Sequence, residues 1–527
     1  MPKFKIHLLA LIAIIYLFFS SGHPWIEADH QLLVSRSLIR NYSLSIGNPN
    51  YGFSFKGRDG RYYDPHGLTN ALIMTPVAII ELVANKVLDK DMGKSISFLG
   101  NLTGIIVSSL ACLVFFLILF LLERPLKVCF FTTLCAAFLT MFFPYATRNY
   151  EGNLNMLFIL SSLYFLLKFT RENGVSPSFP FATESRPSSI ASRLIRGTIV
   201  WRRDKISHLI YGGLFAGLAV ATRDFSWLFL FWVTIFIFWF SFKKNDFRIV
   251  AVFISGLLAP LGLWGYYNWL RTGKFYLSVI AMLNLSNKFA QGAPVNNILL
   301  GLKGLLLSQG ASIFVYSPIL VFSLFGWREF FQKKKKECIL IFSIVVTFLL
   351  ANTKIREWFG LWGWGPRYTL EITPLILLPL GFWLTTDRLK NKIKKYTFIL
   401  ICAYSLLIQL AATLTNWHAR LGYLLARKGE DAFLFTARYS QWWDSIKTFL
   451  INLWNLMFGA FLYLENPGYE LRISDASLYT SKTLFTWWNR LLFLGVNPFW
   501  IGAYFAVTLV IISYCFFYLA NFIRKEG

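Results

Sequence analysis

Two carboxylates and an imidazole crowd into Trp25-Ile26-Glu27-Ala28-Asp29-His30, directly after the first apolar run at 6–19. A carboxylate beside apolar surroundings can take a proton from a hydroxyl, so Glu27 and Asp29 are candidate general bases; the structural alternative is a loop whose acids are simply solvated. Further along, Lys56-Gly57-Arg58-Asp59-Gly60-Arg61-Tyr62-Tyr63-Asp64-Pro65-His66-Gly67 sets cations beside aromatics. Arg58 and Arg61 could give charge-assisted hydrogen bonds to phosphate oxygens, and the rings suit a sugar. Asp59-Gly60 taken alone reads as a turn.

Three more places carry polar chemistry inside apolar surroundings. Pro144-Tyr145-Ala146-Thr147-Arg148-Asn149-Tyr150-Glu151 borders an apolar run. Glu151 there is a functional candidate, or a carboxylate favouring a helix N-terminus. Arg223-Asp224 interrupts the apolar stretch 209–242. One continuous helix would bury Arg223 at mid-membrane at a cost of about 2.5–3.5 kcal/mol, so a hairpin tip is expected instead. Arg223 then faces the same side as the acids, or snorkels in an ion pair. Last, Trp358-Phe359-Gly360-Leu361-Trp362-Gly363-Trp364-Gly365-Pro366-Arg367-Tyr368 alternates Trp and Gly. The rings of Trp364 and Tyr368 could hold a sugar or anchor at the interface, with Arg367 placed for a phosphate.

These segments need elements to position them, and the composition says which. Of 527 residues, 56% are hydrophobic and 15% charged, with mean hydropathy +0.52. Soluble domains are about 25% charged, so a soluble enzyme, a disordered tail protein and a fibrous repeat are excluded. Apolar runs of roughly 17–25 residues recur from end to end, the pattern of an all-α polytopic membrane protein. Lys plus Arg number 52 against 26 acids, a net +26. Without a basic soluble domain, this charge points to topology-setting loops and anionic lipid rather than to nucleic acid. Cys112, Cys129, Cys135, Cys338, Cys402 and Cys515 show no CxxC spacing, which argues against a disulfide framework or a zinc site.

Spans are expected at 6–19, 96–122, 128–143, 154–167, 209–222, 225–242, 249–269, 311–327, 339–350, 370–385, 396–415 and 501–522. The poor small-x-small site after 6–19 makes this a retained first helix rather than a cleaved leader. The apolar segment 67–88 is long enough to span. Counting it would place the basic loops at Arg124/Lys127, Lys243, Lys333–Lys336 and Arg388–Lys395 outside; leaving it in the external loop places them all inside. The expectation is about 12 transmembrane helices, both termini cytoplasmic, with 67–88 re-entrant or interfacial. Segment 448–464 carries a similar ambiguity. The domain reading is a transmembrane module over 1–415 with a large first external loop at about 22–95, an external Trp-rich region at 416–498, and a last span with a basic tail at 499–527. The Ser/Pro-rich stretch 176–192 reads as a cytoplasmic loop.

Taken together, Glu27/Asp29 with Arg36-Ser37-Leu38, Asp59-Gly60-Arg61-Tyr62-Tyr63 with Gly67 and Pro76, Pro144-Tyr145 with Arg148 and Glu151, and above all Trp362-Gly363-Trp364-Gly365-Pro366-Arg367-Tyr368 resemble the GT-C superfamily. Its members are integral membrane glycosyltransferases that use polyprenyl-phosphate-linked sugar donors. They include the protein O-mannosyltransferases, the lipid A aminoarabinose transferase and the catalytic subunit of oligosaccharyltransferase. Tyr267-Asn268, Arg271-Thr272-Gly273 and Phe314-Val315-Tyr316-Ser317-Pro318 add to the likeness, which covers about residues 1–415.

The resemblance implies a GT-C-like bundle in a cell membrane, bacterial and cytoplasmic, with its site on the outer side. It implies Asp29 or Glu27 as catalytic base, assisted by Glu151, the register leaving both acids open. Donor phosphate would fall to Arg58, Arg61, His66 or Arg367, because relatives carry a lysine where Pro65-His66 stands here. Tyr63, Arg148, Tyr150, Arg223, Trp364 and Tyr368 would contact substrate. The implied reaction moves a sugar from a polyprenyl-phosphate donor to a hydroxyl of a glycan, lipid or protein acceptor, with inversion at the anomeric carbon. No cofactor is required by it; a divalent metal, Mg or Mn, stays open, since acids are available without a dense cluster. Two other classes compete: a transporter or flippase of a lipid-linked saccharide, which predicts inverted repeats and broken helices near the midplane, and a non-catalytic assembly partner; no such repeat is seen, and the polar residues cluster on one side.

Overall fold

The computed structural model describes residues 1–22, 26–46, 54–89, 93–173, 203–279, 298–355, 358–360, 363–384, 388, 390–417, 421, 424, 429–458, 484–493 and 496–526, with the backbone alone for residues 26, 27, 93–97, 203, 204, 430, 431, 456–458, 490, 492, 493 and 526. Trp362, Asn284, the stretch 176–192, segment 459–483 of the Trp-rich region and the Glu27 side chain fall outside this description.

Helix follows helix. α1 (Pro2–Phe19) begins with proline at its first turn, where the missing N–H costs nothing. Next come α2 (Ile26–Asn41), a two-stranded antiparallel hairpin of β1 (Phe55–Lys56) and β2 (Tyr62–Tyr63), α3 (Leu68–Leu88), α4 (Gly93–Leu121), α5 (Leu126–Leu139) and α6 (Phe142–Ala146). α7 (Glu151–Asn173), α8 (Arg203–Thr222), α9 (Ser226–Lys244) and α10 (Arg248–Thr272) follow. The later chain holds α11 (Ile298–Leu307), α12 (Ile313–Tyr316), α13 (Leu320–Lys333), α14 (Lys335–Asn352), a 3-10 turn at Arg367–Ile372, α15 (Thr373–Leu377), α16 (Leu380–Trp383) and α17 (Lys392–Thr413). It ends with α18 (Glu430–Phe435), α19 (Gln441–Phe458), α20 (Trp487–Phe493) and α21 (Pro498–Glu526). The fold is all-α, as the composition requires. Among the described residues nine helices are long and apolar enough to cross a membrane: α1, α3, α4, α7, α8, α9, α10, α17 and α21.

Three expected spans are broken. The run 128–143 divides between α5 and α6 at Thr140-Met141. The run 311–327 splits at Ser317-Pro318, because proline cannot donate into a continuing helix. Ser317 instead lends its hydroxyl to the Met141 N–H at 2.8 Å. The run 370–385 divides into a 3-10 turn and two short helices, where Pro374 and Pro379 interrupt the ladder. One apolar core cluster joins α1 and α4–α10 to the later helices, with Phe116, Phe142, Leu160, Phe253, Ile341 and Leu375 among its buried members.

The charges sort to one end of this core. Glu123, at the end of α4, pairs with Arg171 at 3.1 Å and Lys334 at 2.6 Å, and Glu329 pairs with Arg388 at 3.1 Å. Phe4 packs on Phe522 and His7 stacks on Tyr518, so both ends of the chain sit at this basic end. The far end gathers the start of α7, the end of α8, the end of α10 and the 3-10 turn.

α3 lies at that far end and does not run back through the bundle. Gly67 touches the end of α8: a Cβ there would stand 2.2 Å from the Thr222 carbonyl oxygen. The other tip, Leu88, is within about 18 Å of Gly93 by chain length alone. Gly93 begins α4 before Asn101, whose side chain bonds Ser20 and the Thr147 carbonyl at the same end. Twenty-one helical residues measure about 32 Å, so a course back through the bundle would leave Leu88 too far from Gly93, and α3 stays at the far end. It packs on α2 through Ala28, Leu32, Met74, Val77 and Ala78.

Candidate active site

The tight turn from α8 to α9 delivers Arg223 to the far end, where two acids hold it. Its Nε lies 3.1 Å from Glu151 Oε1, and its Nη1 pairs closely with Glu371. Both carboxylates are buried. Tyr150 accepts a 3.4 Å hydrogen bond from Nη1, and the guanidinium lies near the Tyr150 and Tyr368 rings. Tyr150 packs at a tilt on Tyr145 with centroids 4.8 Å apart.

A polar chain ties α2 to this triad. Gln31 Nε2 donates to Glu151 Oε2 at 3.0 Å, while its Oε1 accepts from Asn70 of α3. Asn70 also donates to Asn149 at 3.3 Å. The Asn149 N–H donates to Asn101 of α4 at 2.8 Å. Side chains four apart share a helix face, so position 27 lies one turn before Gln31 on the side that meets Glu151. Asp29 feels the charge of Arg36, two turns on, which pairs with Glu81 of α3 at 2.7 Å.

Asp29 titrates high. Burial lifts its carboxyl to about 6 against the opposing pull of Arg36. The folded protein therefore binds more protons than the unfolded chain between about pH 4 and 6, so stability falls as pH rises through that window and stays lower above it. Asp29→Asn removes the titration. At pH 7.5 the variant is expected to be more stable than the parent by about 1–3 kcal/mol, with no difference at pH 4. Unfolding in detergent across pH 4–8 measures this, and a pH-independent difference would show an ordinary carboxyl.

The loop before α3 is clamped from α10. Arg271 donates to the carbonyls of Asp64, Pro65 and His66 at 3.0, 2.9 and 2.9 Å and to Asn268 at 2.6 Å. His66 Nδ1 stands 2.8 Å from Asp64. Burial alone would push the Asp64 carboxyl up, but His66, with a smaller contribution from His30, holds it below the usual range. Tyr63 is buried against Tyr267 and donates to Asp59 at 2.8 Å. Arg58 and Arg61 are exposed on the β1–β2 turn, Arg58 over Trp269 at 5.9 Å and Arg61 3.7 Å from Asp59.

The Trp-Gly loop is drawn tightly inward. Gly360 and Gly365 have φ of +88° and +61°, and a Cβ on Gly363 would meet the Arg367 side chain at 2.5 Å. Trp364 is fully buried; its ring packs on Tyr316 and its backbone meets the Tyr145 hydroxyl. Its ring is therefore core rather than an open platform. Arg367 stacks on Tyr368 at 5.2 Å.

Thus Glu151, Arg223, Tyr150 and Tyr368 converge, with Arg367 adjacent through Tyr368. Arg58 and Arg61 sit apart on the hairpin, and Arg148 lies behind Tyr145. Sequence reasoning missed Gln31, Asn70 and Glu371. Glu371 had a signal: a carboxylate inside an apolar run is a functional candidate by default. Among the described residues no group of three or more His, Cys, Asp or Glu could hold a metal ion. Glu151 and Glu371 do not fit one either, because Arg223 already stands between them.

No protein-family model matches the chain, and no curated protein sequence does. Solved structures are similar to it over most of its length. ArnT from Cupriavidus metallidurans bound to undecaprenyl phosphate matches at TM-score 0.40 and 12% identity, covering 84% of this chain and 75% of that one. The oligosaccharyltransferase AglB from Archaeoglobus fulgidus, in complex with an inhibitory peptide and a dolichol-phosphate, matches at 0.44 and 10%, covering 83% and 60%. The Archaeoglobus fulgidus oligosaccharyltransferase complex with Zn and sulfate matches at 0.45 and 12%, covering 82% and 58%. This chain thus spans about three-fifths of the oligosaccharyltransferase's length.

Proposed function

We propose that this chain is a membrane glycosyltransferase moving a sugar from a polyprenyl-phosphate-linked donor to an acceptor hydroxyl, with inversion, at the external face of a cell membrane. The observation that carries the reading is the buried Glu151–Arg223–Glu371 triad, joined through Gln31 to the acidic start of α2 at the end of the bundle away from the basic loops. An acid at position 27 takes the proton from the acceptor hydroxyl, with Asp29 the alternative base. The acceptor oxygen forms a bond to the anomeric carbon as the bond to the lipid phosphate oxygen breaks. Charge develops on the departing phosphate, and fixed cations there lower the barrier most effectively. Arg367, over the Tyr368 ring that also faces Arg223, is the candidate beside the triad; His66, beside Asp64, and Arg58 and Arg61, on the β1–β2 turn, are the candidates from the first loop. The triad itself holds α2, α3, α7 and the 3-10 turn in register, so donor and acceptor meet in a set orientation.

The test uses the full chain in detergent with a short-chain polyprenyl-phosphate sugar. Release of polyprenyl phosphate coupled to a new glycoside supports the reading. Mass spectrometry of lipids from a deletion strain should show the intact donor accumulating. The flippase reading finds support in the broken helices at 313–333 and 367–383. It predicts movement of labelled lipid-linked saccharide across vesicles with no bond broken.

A further inference from the structure

Arg148 is a buried arginine at the far end for which no acid or carbonyl partner is found among the described residues. Arg223 has two carboxylates, Arg36 has Glu81, and Arg271 has three carbonyls and Asn268. Arg148 is 6% exposed, and its Nε and Nη2 are buried with no hydrogen-bond partner. These two atoms form the side-on edge of the guanidinium, the pair that grips two oxygens of one anion.

The backbone below is pinned. The Arg148 carbonyl accepts from Asn153 at 3.3 Å, and its N–H donates to the Tyr145 carbonyl at 3.1 Å. Its guanidinium lies 5.5 Å from the Trp417 ring centroid and 4.9 Å from that of Phe485. Aromatic faces attract a cation but supply no acceptor in the plane of the fork. A buried charge without a partner is among the least tolerable features of a fold, and an anion would complete it.

We propose that Arg148, between Trp417 and Phe485, is a binding site for a phosphate group, set behind Tyr145 and separate from the Glu151–Arg223–Glu371 triad. The site does not depend on sugar transfer, and a chain without that activity would still carry it. Phe485, on one side of the guanidinium, is held by its backbone N–H, which bonds the Leu414 carbonyl at 2.9 Å.

The test is the melting temperature of the full chain in detergent, titrated with inorganic phosphate and, separately, with geranyl phosphate, each against sodium chloride of equal ionic strength. At least one of the two is expected to raise the wild-type melting temperature. A response to both at similar concentration identifies free phosphate as sufficient; a response to geranyl phosphate alone identifies a lipid headgroup. Arg148→Met, which removes the unpaired charge and keeps bulk between the rings, is expected to melt at or above wild type without anion. Its half-stabilising concentration should rise about ten- to a hundredfold, the usual worth of a charge-assisted pair. If that variant does not fold, Arg148→Lys keeps the charge without the fork and should also weaken the response. No wild-type response beyond chloride, or an undiminished response in the variant that folds, overturns the site.

Discussion

Arg223→Gln is expected to destabilise the protein by about 3–5 kcal/mol, because it strands two carboxylates in a buried setting. Glu151 and Glu371 are both buried, and Arg223 reaches each of them. With the guanidinium gone, one acid must take up a proton, and the geometry linking Gln31 to Glu151 loosens with it. Sugar transfer should fall by about 10²–10³-fold, since a small displacement of reacting groups costs that much. The control is the triple change Arg223→Gln, Glu151→Gln, Glu371→Gln, which removes the stranded charges together. It should recover most of the stability and none of the activity. Unfolding in mixed micelles reads the first quantity and polyprenyl phosphate release reads the second. If Arg223→Gln leaves both unchanged, the triad is neither structural nor functional, and the proposed site loses its centre.

Much of this architecture could be read from the chain alone, for reasons particular residues make plain. Helices such as α1, α4, α9 and α21 are legible because bilayer thickness demands long unbroken apolar runs. Arg223-Asp224 marks a hairpin tip because burying that pair at mid-membrane is costly, and the structure places the turn there. The basic loops share one end, and α3 stays at the other. What the sequence hides is packing. Pro318, Pro374 and Pro379 sit in runs whose hydropathy stays high, so composition passes over the breaks they cause. Gln31 and Asn70 carry no charge and match no motif; they acquire a role only when α2 and α3 pack against α7. Trp364 looks like a sugar platform in a row of Trp and Gly. The glycines beside it let the loop fold inward, and the ring ends in the core. Glu371 was masked by the Trp-Gly loop just before it, although its isolation in an apolar run was the clearest single sign of a buried ion pair.

Glu27→Gln should lower transfer by about 10²–10⁴-fold with little loss of stability, the size expected when a general base is removed. The expectation rests on helix register. Gln31 faces Glu151, and a residue four positions earlier in the same helix shares that face, whereas a residue two positions earlier lies on the opposite side. Asp29 lies on the flank whose charge comes from Arg36, seven residues on, and Arg36 has Glu81. The high titration of Asp29 follows from burial along that flank and does not by itself make it the base. Asp29→Asn should therefore keep activity within about tenfold while gaining stability at neutral pH. The two variants thus separate along different axes: one loses rate without unfolding, the other gains stability while retaining rate. A reversal, with Asp29→Asn inactive and Glu27→Gln active, would place the reacting hydroxyl on the Arg36 side of α2 and move the site away from Glu151.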